Sequence, residues 1–197
     1  MREPSFVEGG THFRISDKLM KDNELWLEGE ITPQSVDLVI SALHLIEKKC
    51  TNREGIIDGN VRLLIAGPGG SISAALNLAN YLKNTPLNVT TTAVNNSYSA
   101  SAIVWLAGDR REILPYSRVM FHEVKHFVCE DSSYTIEKIN EIYNDLKRLN
   151  NNIYKIMSEA IGKDKKYIKN MIGGKEVFFS SKAALECGLA TEIIDTL

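Results

Sequence analysis

The chain has 197 residues, of which 44% are apolar and 24% charged, and a formal net charge of −2. Acidic and basic residues are interspersed, so no electrostatic argument favours nucleic acid or an anionic membrane surface as a partner. No stretch approaches the roughly 20 apolar residues of a membrane helix. The N-terminus lacks a signal-peptide apolar run, and Cys50, Cys129 and Cys187 form no metal-binding spacing with the histidines. These features point to one soluble domain in a reducing cytosol, without a metal or organic cofactor.

Residues 1–22 are polar and contain glycine, and they read as an N-terminal arm that orders against a partner; residues 23–197 form the domain. LWLEGEI at 25–31 alternates as a half-buried strand does. A helical pattern follows from Thr32 through Val36, Leu38, Ile40, Leu43 and Ile46. After a polar loop at 48–60, VRLLIA at 61–66 reads as a buried strand, GPGGS as a turn and 74–84 as a helix. A third unit has a β-branched strand at 87–94, a short polar turn and a small-residue helix at 99–108. Three strand–helix units in succession imply an α/β parallel sheet.

Farther on, 112–124 reads as a short strand pair around Pro115, and 134–161 as one long amphipathic helix. Such a helix either packs on the core or projects towards another subunit, and the pattern leaves both open. The C-terminal part gives a short strand, a helix capped by Ser180 or Ser181 and ended by Gly188, and a final strand.

Gly67, Pro68, Gly69 and Gly70 lie between a buried strand and a helix, where backbone N–H groups can face an anion. A phosphate cradle would need the lysine and hydroxyl of a P-loop or a dinucleotide fingerprint, and neither is present. An oxyanion hole needs only donors beside a nucleophile; a tight turn needs less. Ser99, at the start of the small-residue helix, fits a nucleophile with the Ala100 N–H beside it, and equally a helix N-cap. Ser97 and Ser101 are rival hydroxyls. His122 ends an apolar strand and fits a core or rim side chain as well as a base.

Taken as a set, LWLEGEI at 25–31, LLIAGPGGSISAALNLANYLK at 63–83, YSASAIVWLAG at 98–108 and LPYSRVMFHE at 114–123 resemble the proteolytic subunit of the ATP-dependent Clp protease. The resemblance, which runs over most of the chain, implies a crotonase/ClpP-like α/β fold of repeated ββα units. It also implies a protruding handle helix within about 124–161. It assigns Ser99 as nucleophile, His122 as general base, and the N–H groups of Gly70 and Ala100 as the oxyanion hole. The family's aspartate falls on Glu176 in EVFFSSKAALECGLATEI, a longer acid that would have to orient His122 across one more methylene. VKHFVCEDSS at 124–133 lacks the family's glycine-rich strand.

The implied function is hydrolysis of peptide bonds in unfolded polypeptides by a serine endopeptidase, in a cytoplasmic homo-oligomeric ring. That ring would be a heptamer or a stacked pair of heptamers, fed by a Clp-type ATP-driven unfoldase. Two other readings stay open: a catalytically silent ring component, and an acyl-CoA enzyme of the wider crotonase group.

Overall fold

A computed structural model describes the backbone of residues 5–8 and 11–14, and the chain in full over 23–125 and 133–197. Its described strands join one mixed sheet whose centre is parallel. There β3 (Glu24–Ile31), β4 (Asn60–Gly70) and β5 (Asn88–Tyr98) run side by side, linked through α1 (Pro33–Cys50) and α2 (Ile72–Asn84). The central strands read as nearly continuous apolar runs because helices cover them, and Leu63, Leu64 and Ile65 are all fully buried. Thr32 and Ser35 form a reciprocal cap at the start of α1, and Ser71 caps α2. The α/β class expected from the strand–helix rhythm is therefore the one observed.

The arm contributes to this sheet. β1 (Ser5–Glu8) and β2 (Thr11–Arg14) form an antiparallel hairpin, and β2 pairs with β3 from Arg14↔Trp26 to His12↔Glu28. An arm ordered only by a partner does not describe these two stretches; they order on the open edge of β3, whose backbone groups need partners. Residues 1–4, 9–10 and 15–22 lie outside the described residues.

β4 and β5 run past the sequence expectation. The GPGG stretch continues β4 to Gly70, and the polar residues after Val94 continue β5 to Tyr98. Both extensions are irregular: register passes from Ile65↔Ala93 to Gly67↔Ser97, with Asn95 at φ 60° absorbing the extra residues. Beyond that bulge β5 changes neighbour. Its first half pairs with β6 (Arg110–Ile113), and its last residues pair with β7 (Arg118–Phe121), Tyr98 opposite Met120. This divergence brings the end of β7 beside the end of β5.

α3 (Ala100–Trp105) leaves β5 directly and is entirely buried. Trp105 is 0% exposed and its indole N–H donates to the Glu112 carbonyl at 2.8 Å, which ties α3 to β6. Truncating such a side chain costs about 3–5 kcal/mol.

α4 (Ile136–Ile161) is the long helix. Its buried residues, Leu149, Ile153, Tyr154 and Met157, all lie in its second half, whereas Ile136, Ile139 and Tyr143 are exposed. The first half thus extends away from the core. α5 (Lys165–Ile172), capped by Asp164 and inserting Ile168 and Ile172, was not anticipated; at eight residues it offers too few apolar positions for a clear period. β8 (Val177–Ser180) pairs antiparallel with β7. α6 (Ser181–Glu186), capped by Ser180, leads to β9 (Glu192–Ile193) beside β6.

Candidate active site

Ser99 stands between β5 and α3 with φ 53° and ψ −121°, a conformation that L-residues adopt only under constraint and at a cost of roughly 1–3 kcal/mol. The constraint is visible: the Ser99 N–H donates to the Met120 carbonyl at 2.8 Å, and its own carbonyl accepts from Ile103 N–H at 3.2 Å. The side chain makes no cap bond to α3. Ser99 thus holds the N-cap position of α3 without using its side chain as a cap, and its hydroxyl points elsewhere.

That hydroxyl lies 2.8 Å from Nε2 of His122, which directly follows β7. Nδ1 of the same ring is 2.5 Å from the backbone carbonyl of Glu123. A carbonyl can only accept, so this contact places the proton on Nδ1 and leaves the Nε2 lone pair to accept from Ser99. A serine hydroxyl bonded to the basic nitrogen of an oriented imidazole is the minimal apparatus for nucleophilic attack.

The rival hydroxyls are disposed otherwise. Ser97 is fully buried and donates to the Ile65 carbonyl at 2.8 Å. Ser101 is also fully buried, with no hydrogen-bond partner among the described residues. Ser99 and His122 line a cavity of about 520 Å³ whose other walls include Gly70, Ile72, Ile103, Met120, Val124 and Ile153, and neither Ser97 nor Ser101 is in its lining.

The glycine turn packs against the serine. A Cβ on Gly69 would stand 2.7 Å from Ser99 Cβ and 3.2 Å from Ala100 N, and Gly69 has φ 112°, so this position admits only glycine. Gly70 borders the cavity and Ala100 opens α3, where a first-turn N–H has no intrahelical acceptor. Of the residues expected to supply an oxyanion hole, Gly70 lines the same cavity as Ser99 and Ala100 follows it in the chain. Gly69 was missed as a functional position, because the glycine run alone does not say which member meets the nucleophile.

Glu176 also lines the cavity, but its carboxylate is 2.6 Å from Lys125 Nζ, and His122 Nδ1 is taken by the Glu123 carbonyl. The expected Glu176–His122 hydrogen bond is not the one formed. The side chain is about half exposed, and a neighbouring ammonium offers it a stronger partner than a neutral imidazole. Its hydrogen bond to Lys125, followed by the charge of that ammonium, holds the carboxyl below the usual range.

Glu123, which no motif signalled, is fixed at its other end. Its carboxylate accepts the Tyr154 hydroxyl from α4 and the Gly174 N–H at 3.0 Å. Next to it, Val124 N–H donates to Asn150 Oδ1 at 2.7 Å. Burial and this carboxylate push the Tyr154 pKa well above the ordinary tyrosine value, so the phenol remains a donor. Of the segment expected to replace the family's glycine-rich strand, residues 126–132 lie outside the described residues. Among the described residues, no group of three or more His, Cys, Asp or Glu is placed to hold a metal ion, and no helix is long and apolar enough to cross a membrane.

A parallel α/β sheet that delivers a strained serine, an oriented histidine and a glycine turn to one apolar cavity defines a candidate serine hydrolase. Comparison with known proteins narrows this class. The family described as Clp protease matches residues 8–197, and the chain belongs to it. ATP-dependent Clp protease proteolytic subunits from Borreliella afzelii and Borrelia garinii subsp. bavariensis are each 30% identical over 184 residues. Those matches cover 92% of this chain and 88% and 89% of theirs. The ATP-dependent Clp protease proteolytic subunit 1 of Borreliella burgdorferi is 29% identical over 197 residues, 97% of this chain and 96% of its own. The crotonase/ClpP-like fold and the protease class expected from the sequence follow from this membership.

Proposed function

We propose that the chain is a serine endopeptidase subunit that cleaves unfolded polypeptides inside a homo-oligomeric ring. The observation that carries the reading is the 2.8 Å approach of Ser99 Oγ to a His122 ring whose other nitrogen is already held. His122 takes the Ser99 proton as Oγ attacks the scissile carbonyl, and the N–H groups of Gly70 and Ala100 receive the charge developing on its oxygen. His122 then passes the proton to the leaving amine, which departs to leave an acyl-enzyme. Water, deprotonated by the same ring, releases the acid.

In this reading the Glu123 carbonyl orients His122, and Glu176 acts as the third member through its charge rather than through a hydrogen bond. The apolar walls of the cavity suit an extended peptide whose side chains are uncovered only when the substrate is unfolded. Relatives named as proteolytic subunits of an ATP-dependent Clp protease support a Clp-type ATP-driven unfoldase as partner; the heptameric or doubly stacked ring and the cytoplasmic location belong to the proposal.

The test is hydrolysis of an unfolded protein and of short fluorogenic peptides by the assembled chain. Wild type should cleave both and Ser99→Ala neither. A wild type that assembles but cleaves nothing is instead a silent ring component. Acyl-CoA turnover without peptide cleavage would favour the crotonase alternative.

A further inference from the structure

A second cavity, of about 490 Å³, opens between α4 and α5 and has Glu123 in its wall. Lys147 of α4 and Lys165, Lys166 and Lys169 of α5 line it, and all four are exposed. No carboxylate among the described residues pairs with any of them. Lys125, Lys138, Lys155 and Lys182 each have a carboxylate at 2.6–3.9 Å, so what marks the cleft is the gathering of four unneutralised ammonium groups on one cavity. Glu123 in the wall accepts from Tyr154 and from Gly174 N–H and keeps its charge, so four ammonium groups face one carboxylate in the lining; Asp164 caps α5 by accepting from the N–H of Tyr167 at 2.7 Å. Asn150 also lines the cleft; its oxygen is taken by Val124 N–H, which leaves its amide N–H groups as donors.

Four like charges gathered in one concavity of a chain whose net charge is −2 repel one another, most directly the helix neighbours Lys165, Lys166 and Lys169. A concave wall of low dielectric concentrates their field. We infer that this cleft binds an oligophosphate, two or three linked phosphate groups, free or as the tail of a nucleotide. Lysine serves phosphate as a point charge and needs no planar match. Four residues of helix separate Lys165 and Lys169 by about 6 Å along the α5 axis, and Lys147 comes from the neighbouring helix. A single phosphate meets one or two of these ammonium groups; a chain of three meets all four.

Occupancy ties α4 to α5 around Glu123 and Val124, the two residues that follow His122, so the bound anion steadies the imidazole. That consequence rests on the peptidase reading; binding itself does not.

The experiment is calorimetric titration of the full chain with sodium tripolyphosphate, orthophosphate, adenosine triphosphate and a hexaglutamate peptide at matched ionic strength. It is repeated on Lys166→Gln/Lys169→Gln and, as a control, on Lys155→Gln/Lys182→Gln. Tripolyphosphate should bind more tightly than orthophosphate, and the cleft variant should weaken it by about tenfold or more, from the loss of two charge contacts. The control should leave it unchanged. Nucleotide binding tighter than tripolyphosphate identifies the nucleotide as the source, and equal or weaker binding identifies the free anion. The inference is overturned by no binding, by equal loss in both variants, by orthophosphate binding as tightly, or by hexaglutamate binding more tightly than either phosphate chain. Peptidase activity enters none of these readouts, so the site and the proposed function can fail separately.

Discussion

Tyr154 and Glu123 are 31 residues apart in sequence, yet the phenol of one donates to the carboxylate of the other, and Glu123 presents its own carbonyl to Nδ1 of His122. The long helix therefore reaches the imidazole through a single intervening residue. A residue that acts in this way positions the base and does not touch the substrate.

Tyr154→Phe removes the donor while keeping the ring. Its expected cost in stability is about 1–2 kcal/mol, because the Glu123 carboxylate keeps the Gly174 N–H but loses a charge-assisted bond. The kcat for a fluorogenic peptide should fall by roughly tenfold with KM little changed, since the loss lies in the alignment of the base. A change confined to thermal stability would show that the helix merely packs.

Glu176→Ala separates charge from orientation. Where an acid sets the histidine tautomer by hydrogen bonding, its loss costs on the order of 10⁴ in rate. Here the Glu123 carbonyl keeps Nδ1 protonated, so the loss in kcat should stay below about tenfold. A loss of a thousandfold would mean that Glu176 exchanges Lys125 for His122 during turnover.

Gly69→Ala places a methyl against Ser99 Cβ and Ala100 N at a backbone angle that disfavours it. A displacement of about 1 Å at a nucleophile is worth roughly 100-fold in rate. The variant should retain its far-ultraviolet circular dichroism and lose peptide hydrolysis by that factor or more; near-normal activity would move the substrate away from this turn.

Tyr81 on α2 donates to Glu47 on α1 at 3.1 Å, and burial followed by that carboxylate pushes its pKa up to about 12. The unfolded chain releases this proton near pH 10 while the folded chain keeps it, so the folded state binds more protons in that window. The Tyr81 contribution is therefore whole below pH 10 and lost as pH rises towards 12. Unfolding midpoints of wild type should fall over that range more steeply than those of Tyr81→Phe; parallel curves would contradict the assignment.

How far the sequence disclosed this arrangement depends on how local each signal is. Apolar runs such as VRLLIA and helical periods such as that of 134–161 are local, and they led to the central strands and α4. The hydroxyl and imidazole of Ser99 and His122 were legible as residue types, and their segments resemble the Clp protease family. Glu123 was not legible: its part is played by a backbone carbonyl, which every residue carries, and it depends on Tyr154 and Gly174 from distant elements. Glu176 was found from its position opposite the family's acid, but its pairing with Lys125 is a competition between two partners that spacing does not reveal. The β5 bulge, which lets one strand serve two neighbours, likewise depends on a positive φ at Asn95, a conformation that asparagine tolerates but does not by itself impose.

The central claim is that Ser99, made nucleophilic by His122, is the reacting group. Fluorophosphonate labelling read by intact mass tests it most directly, on wild type, Ser99→Ala, His122→Ala and Ser97→Ala. One adduct should form on wild type and on Ser97→Ala, whose missing hydroxyl costs only a buried hydrogen bond to Ile65, and none on Ser99→Ala or His122→Ala. Labelling that survives Ser99→Ala and disappears with Ser97→Ala, or no labelling of the assembled wild type, would contradict the account.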